Sequence, residues 1–258
     1  MNKNANLSIK IIAGVFYAAM VAVNILANSL PINNRSTGEI SDAYPNLFAP
    51  AGLTFSIWGL IYLLLAGYAF YQFTKSGQKL EEHFRKINLF FIATSLANIA
   101  WIFAWHYDYI GLSVLIMALL LFLLIRIADI LRVLQLTARE TIFISSPFSV
   151  YFGWITVAAI ANVTVFLVSV GWNGFYIADF IWTSIILIMG AAIVILRMRK
   201  DKNIAYGLVL IWAYFGILFK HLSASGFGGH YPGIIATVAA CLGLFIYYTA
   251  VIFYKKIK

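Results

Sequence analysis

The residues of this chain that could do chemistry are asparagines and aromatics set at helical spacing. Trp154, Ala158 and Asn162 recur every four residues, and Asn98 precedes Trp101 and Trp105. Trp58 and Tyr62 are four apart, as are Asn24 and Asn28. On an α-helix these spacings put the members of each set on one face. Aromatic walls with a few placed amides suit a large, flat, mostly apolar ligand. Taken singly, each asparagine has a plainer use, an interhelical hydrogen bond worth about 0.6–2 kcal/mol. Several asparagines paired with tryptophans on different helices favour a pocket.

Other chemistry is weaker. Asp129 lies between Arg126 and Arg132 at spacings of three, which predicts an intrahelical ion pair. Asp179 opens a helix, where a carboxylate suits the N-terminal dipole. Capping is the favoured reading there, with an outward-facing ligand contact as the alternative. Lys220 and His221 close a helix, where cations suit the C-terminus. His106, His221 and His230 lack zinc or haem spacing, so no metal set is assigned. Trp105, Trp172, Tyr107, Tyr109 and Tyr176 sit near segment ends and read as interface anchors. The chain has no phosphate-binding glycine loop, Walker lysine, HExxH, nucleophile elbow or catalytic Cys/His pair. No catalytic residue is assigned, and the expectation is a protein that is not an enzyme. No acid falls at the middle of an apolar run, which argues against an ion-coupled transporter and leaves a facilitative one open.

The elements that would position these residues follow from composition. Of 258 residues, 63% are hydrophobic and only 10% are charged, and the mean hydropathy is +0.91. Soluble domains carry about 25% charged residues; this chain could not cover a water-facing surface and reads as an integral membrane protein. Uncharged runs predict eight helices, roughly Ile11–Leu30, Gly52–Phe73, Ile87–Trp105, Ile110–Ile130, Pro147–Val170, Ile177–Leu196, Ile204–Phe219 and Pro232–Tyr254. Each is near the ~20 residues that cross a bilayer core as a helix, twice what a spanning strand needs. The expected fold is an all-α polytopic membrane bundle. The stretch Pro45–Phe73 is its organising feature, a proline-punctuated loop running into an apolar wall that carries Trp58 and Tyr62. The single cysteine, Cys241, excludes an intrachain disulfide.

Charge sets an expected orientation. The net charge is +9, but sixteen of the 18 lysines and arginines fall in alternate connections, from Lys3 and Lys10 through Lys75, Lys79, Arg85 and Lys86 to Lys255, Lys256 and Lys258. Only Arg35 and Lys220 occupy the others. By the positive-inside rule both termini are cytoplasmic and the helix count is even. The same clustering fits anionic lipid headgroups and not nucleic acid. No cleavable signal peptide is evident, and a bacterial cytoplasmic membrane is the expected location. On the outer side Pro31 to Pro50 is the longest connection and the candidate lid. Ser223 to Tyr231 is glycine-rich.

In its first 170 residues the chain resembles the TspO/MBR family, the tryptophan-rich sensory proteins related to the translocator protein. Pro50 opens the second helix, and Trp58, Leu60, Ile61 and Tyr62 match the later part of that family's second-helix pattern. Asn98 and Trp101 match its Asn-x-x-Trp element, and Trp154, Ile155, Val157, Ala158, Ala161 and Asn162 match its fifth-helix element. The resemblance implies a five-helix bundle over residues 1–172, with a three-helix extension over 173–258. It implies a pocket formed by Trp58, Tyr62, Asn98, Trp101, Trp154, Ala158 and Asn162. The implied ligand is porphyrin, haem-like tetrapyrrole or sterol-like, bound by a sensor, receptor or facilitator; no cofactor is required. Membrane lipids, a hydrophobic small molecule and a homodimer are the expected partners, and a small-solute permease is the alternative function. An enzyme using tryptophans on a photosensitive tetrapyrrole is a third reading. The chain departs from the pattern at Ala51, Gly52 and Thr54, where the family has proline and large aromatics, and at Pro147. Small residues there predict a wider or differently shaped pocket lip.

Overall fold

The computed structural model describes residues 3–30, 32–74 and 80–257. Lys75 and Lys79, together with Pro31 and Lys258, lie outside the described residues, as do the side chains of Lys3 and Lys256. Eight helices are long and apolar enough to cross a membrane among the described residues. Their α-helical parts are α1 (Lys3–Ser29), α2 (Ile57–Tyr71), α3 (Glu81–His106), α4 (Ile110–Arg132), α5 (Ser146–Ser169), α6 (Asp179–Asp201), α7 (Ile204–Leu222) and α8 (Pro232–Ile257), the second span reaching its length with the 3-10 turn Gly52–Ser56 ahead of α2. No strand occurs among the described residues. The architecture is the expected all-helical bundle of an integral membrane protein. Inside lipid a helix satisfies its own backbone groups, which is why uncharged runs of this length take that form.

Local chemistry explains the irregular helix ends. Thr137 and Glu140 form a reciprocal capping box ahead of α5. Residues Thr141–Ser145 then widen into a π-turn, and the Ser146 amide donates back to the Thr141 carbonyl. Pro147 supplies no amide to the next turn, so the wide turn sits where the regular ladder is interrupted. The Asn203 side chain caps α7 by accepting from the Tyr206 amide at 3.2 Å. Asp179 stands at the first position of α6 without a capping bond, so its favourable effect there is through charge on the helix dipole. The Arg132 guanidinium lies 4.0 Å from Asp129, the expected intrahelical pair.

The chain divides into two compact units, Met1–Ile40 with Trp58–Phe152, and Ser41–Ile57 with Gly153–Lys258. In the first, α3 packs on α1 and α4. Its core is an aromatic knot: Tyr68 meets Phe148 edge-on at 4.7 Å, and Phe91 meets Phe148 at 5.3 Å. Beside the knot is a buried polar relay. The Tyr68 hydroxyl donates to Asn88 Oδ1 at 2.8 Å, and Asn88 Nδ2 donates to Gln72 Oε1 at 2.7 Å.

In the second unit, α8 packs on α7 and α6. Here the contacts rely on missing side chains. A Cβ on Gly216 would fall inside the Thr54 side chain, and one on Gly207 would collide with Thr249 and Met198. Tyr214 ties α7 to α6 by donating to the Leu187 carbonyl at 3.0 Å.

The segment expected to be a lid is folded and tethered. In the first unit it forms a turn at Ile32–Asn34 and enters the helix Thr37–Asp42, capped by Ser36 and Glu39. Asn33 Nδ2 donates to the His106 carbonyl at 2.9 Å, and Arg35 pairs with Asp108. Trp105 Nε1 donates to the Thr37 carbonyl at 3.1 Å. Trp105 is therefore an internal strut, 4% exposed, and not an interface anchor. His106 Nδ1 faces the Ile32 carbonyl at 3.0 Å and Nε2 the Thr37 hydroxyl at 3.2 Å, so both ring nitrogens are engaged. In the second unit Asp42 pairs with Lys220 at 3.2 Å, and His221 Nε2 lies 2.9 Å from the Leu47 carbonyl. The Ala51 amide donates to the Gly216 carbonyl at 3.1 Å, and Phe48 is fully buried.

Candidate functional site

In the first unit the site residues named from the sequence are Trp58, Tyr62, Asn98 and Trp101. Trp58 follows immediately after the first residue of α2 and stacks on Tyr62 one turn later, with centroids 5.6 Å apart and planes at 22°. The same indole meets Tyr151 edge-on at 5.9 Å. Tyr151, fully buried near the start of α5, accepts from Asn98 Nδ2 at 3.2 Å. Asn98 Oδ1 in turn accepts from Asn24 Nδ2 at 2.6 Å. The second hydrogen of that amide goes to the Met20 carbonyl at 2.9 Å, and the Asn24 carbonyl accepts from Asn28. The aromatic stripe of α2 and the amides of α3 and α1 are thus joined through Tyr151 into one chain of contacts.

Tyr151 is the member that sequence reasoning missed. Its own spacing signal was present, since Tyr151 precedes Trp154 by three residues on the same helix. Asn24 and Asn28 were visible as a spaced pair, and the structure makes Asn24 the far end of the chain. The Trp101 ring stacks on Trp105, at 5.3 Å and 21°. Tyr17, also missed, donates its hydroxyl to the Tyr62 carbonyl at 2.8 Å and pins the wall from α1.

A phenol has one proton to give and two lone pairs to offer. Tyr151 accepts from Asn98, and no acceptor for its own proton occurs among the described residues. An aromatic face with an available hydroxyl donor can hold a flat apolar molecule and fix its orientation through one oxygen or nitrogen acceptor.

In the second unit the named residues are Trp154, Ala158 and Asn162. Trp154 is 3% exposed and packs edge-on against Phe55 at 5.6 Å. Ala158 is half-buried, and Asn162 is buried one turn further along. Thr54, one of the small residues at the expected lip, does not stand beside open space. Trp212 Nε1 donates to the Thr54 carbonyl at 3.0 Å, and Gly216 closes over the Thr54 side chain, which is 2% exposed. The volume a large aromatic would occupy is filled from α7. Only a small residue at 54 leaves room for that approach.

The second unit also has two neighbouring cavities, of about 340 and 330 Å³. Both are bounded by Pro45, Asn46, Leu47 and Asp179. Trp172 and Trp182, with centroids 5.2 Å apart, wall the second, while Lys220, Phe227 and Tyr231 wall the first. The sequence had flagged both the loop and Asp179, but separately. The glycine-rich connection at this end is ordered by its own bonds: the Phe227 amide donates to the Lys220 carbonyl and the Gly229 amide to the His221 carbonyl. Phe227 then lies against the His221 ring at 4.6 Å. Among the described residues no group of three His, Cys, Asp or Glu side chains is arranged to hold a metal ion.

Comparison with curated proteins and with solved structures returns no match. The family model described as TSPO-like protein matches residues 10–252, running through all eight helices and beyond the five covered by the sequence resemblance. A match over that much of the chain places it within a family of membrane proteins whose pattern includes the last three helices, and the chain belongs to the TSPO-like protein family.

Proposed function

We propose that this protein binds a flat, hydrophobic molecule, porphyrin-like or sterol-like, against the aromatic face of its first unit and acts as a sensor, receptor or facilitator, not as an enzyme. The observation that carries the reading is the Tyr62–Trp58–Tyr151–Asn98–Asn24 chain. Stacked indole and phenol rings give such a ligand area, and the Tyr151 hydroxyl offers it one directional contact. Family membership supports the reading at the level of protein type. The charge pattern supports a bacterial cytoplasmic membrane with both termini cytoplasmic. Exposed apolar residues along the spans, among them Leu63, Leu115 and Leu196, suit lipid or a second copy of the chain.

The test is a titration of protoporphyrin into the purified protein, followed by tryptophan quenching. Trp58→Ala should weaken binding about tenfold, a loss of the size expected for one well-placed aromatic contact. Tyr151→Phe should weaken a ligand that carries an acceptor while leaving an all-hydrocarbon analogue unaffected. Unchanged affinity in Trp58→Ala would remove the proposed site. The alternative, a small-solute permease, predicts saturable flux in proteoliposomes that is indifferent to both substitutions.

A further inference from the structure

The cytoplasm-assigned ends of α6 and α8 hold a feature that the proposed ligand site does not use. Arg199 and Lys202 at the end of α6, and Lys255 near the end of α8, line a cavity of about 470 Å³. Tyr247, Tyr248, Val251 and Ile252 complete its wall. No carboxylate lines it among the described residues. The nearest acid in sequence, Asp201, is held by Arg197 in an ion pair one turn along the same helix. Lys202 occupies the left-handed region with φ of 49°, an uncommon conformation for a residue with a side chain. Cations at helix C-termini suit the helix dipole and commonly end in water. These three are exposed, and they also border a concave volume together with two tyrosines, one within the size range of ligand pockets. The same wall continues into apolar surface: Tyr247 is 61% exposed, with Leu244 and Leu196 exposed on the helices beside it.

We propose that Arg199, Lys202 and Lys255, with Tyr247 and Tyr248, form a binding site for a phosphate-bearing anion, occupied in the membrane by the headgroup of an anionic phospholipid. The guanidinium and ammonium groups neutralise the phosphate. The tyrosine hydroxyls offer further donors, and the exposed apolar flank accommodates an acyl chain, which free phosphate would not use.

The test counts phosphatidylglycerol retained by the full chain in neutral detergent, by native mass spectrometry across a lipid titration. Phosphatidylcholine and inorganic phosphate form the comparison arms. Phosphatidylglycerol should saturate one site that phosphatidylcholine does not fill. Each charge removed should weaken it about fivefold, so Arg199→Gln, Lys202→Gln and Lys255→Gln together should cost roughly a hundredfold. Arg85→Gln, Lys86→Gln and Arg126→Gln remove the same charge from exposed positions in the first unit and should change retention less than twofold. Lys255→Gln alone, near the chain end, provides the fivefold step if the triple variant does not fold. Equal losses in the two triple variants, or equal retention of the two lipids, would overturn the site. Displacement of phosphatidylglycerol by millimolar inorganic phosphate would overturn the lipid as occupant and assign the site to soluble phosphate.

Discussion

The two compact units solve the same problem in different ways. In lipid, apolar helices gain nothing by leaving the hydrocarbon, so association depends on interhelical hydrogen bonds or on close backbone approach. The first unit uses hydrogen bonds: Asn24 to Asn98 to Tyr151, and Tyr68 to Asn88 to Gln72, all between buried side chains. The second unit uses notches at Gly207 and Gly216, into which Thr249 and Thr54 fit. A polar network in the first unit leaves groups that a ligand can address. A notched interface in the second brings helix backbones close together.

The contrast can be broken from either side. The largest expected effect is at a notch: Gly216→Leu must displace Thr54 and the Trp212 contact, at a cost of about 3 kcal/mol or more. Thermal unfolding in detergent would read it, and a companion Thr54→Gly should recover part of the loss. A midpoint unchanged by Gly216→Leu would mean that α7 does not close on Thr54 as described. Next comes Asn98→Leu, which leaves Asn24 and Tyr151 without their shared partner and should cost about 1–2 kcal/mol. A double-mutant cycle between Asn24 and Asn98 should return a coupling of about 0.6–1.7 kcal/mol; zero coupling would dissolve the chain into independent contacts.

Smaller effects belong to the connection between α1 and α2. Lys220→Gln removes a partly exposed pair with Asp42 and should cost no more than about 1 kcal/mol, diminishing further in high salt. The smallest is a pH effect. The Ser36 amide and hydroxyl hold the Glu39 carboxyl below its usual range. A depressed folded-state pKa means the contribution is present above the ordinary carboxylate range and fades as pH falls through the lower, folded-state value. Amide protection in Thr37–Asp42, relative to the intrinsic exchange rate at each pH, should therefore stay level from neutrality to about pH 5 and fall only in stronger acid. Glu39→Gln should abolish that acid-dependent step.

Much of the fold was legible because membrane crossing is a local property. A run such as Ile110–Ile130 announces a span by its length and lack of charge, and α4 begins at the same residue. The extra helix Thr37–Asp42 was not announced, although Ser36 and Glu39 have capping-box spacing. Trp105 shows the limit of reading position alone: near a segment end, a tryptophan with an indole N–H can as well bond inward as sit at an interface. Its partner, the Thr37 carbonyl, is 68 residues away.

The sequence by itself determined that the chain is a helical membrane protein, which faces carry Trp58, Tyr62 and Asn98, and that a TspO-type pattern occupies its first 170 residues. Each of these depends on spacing within one segment. Only the tertiary structure decided that Tyr151 joins α2 to α3, that Asn24 ends the chain, and that α7 fills the space beside Thr54. Those pairings join residues 53, 74 and 158 positions apart. Periodicity says which face of a helix is special; it does not say which other face it meets.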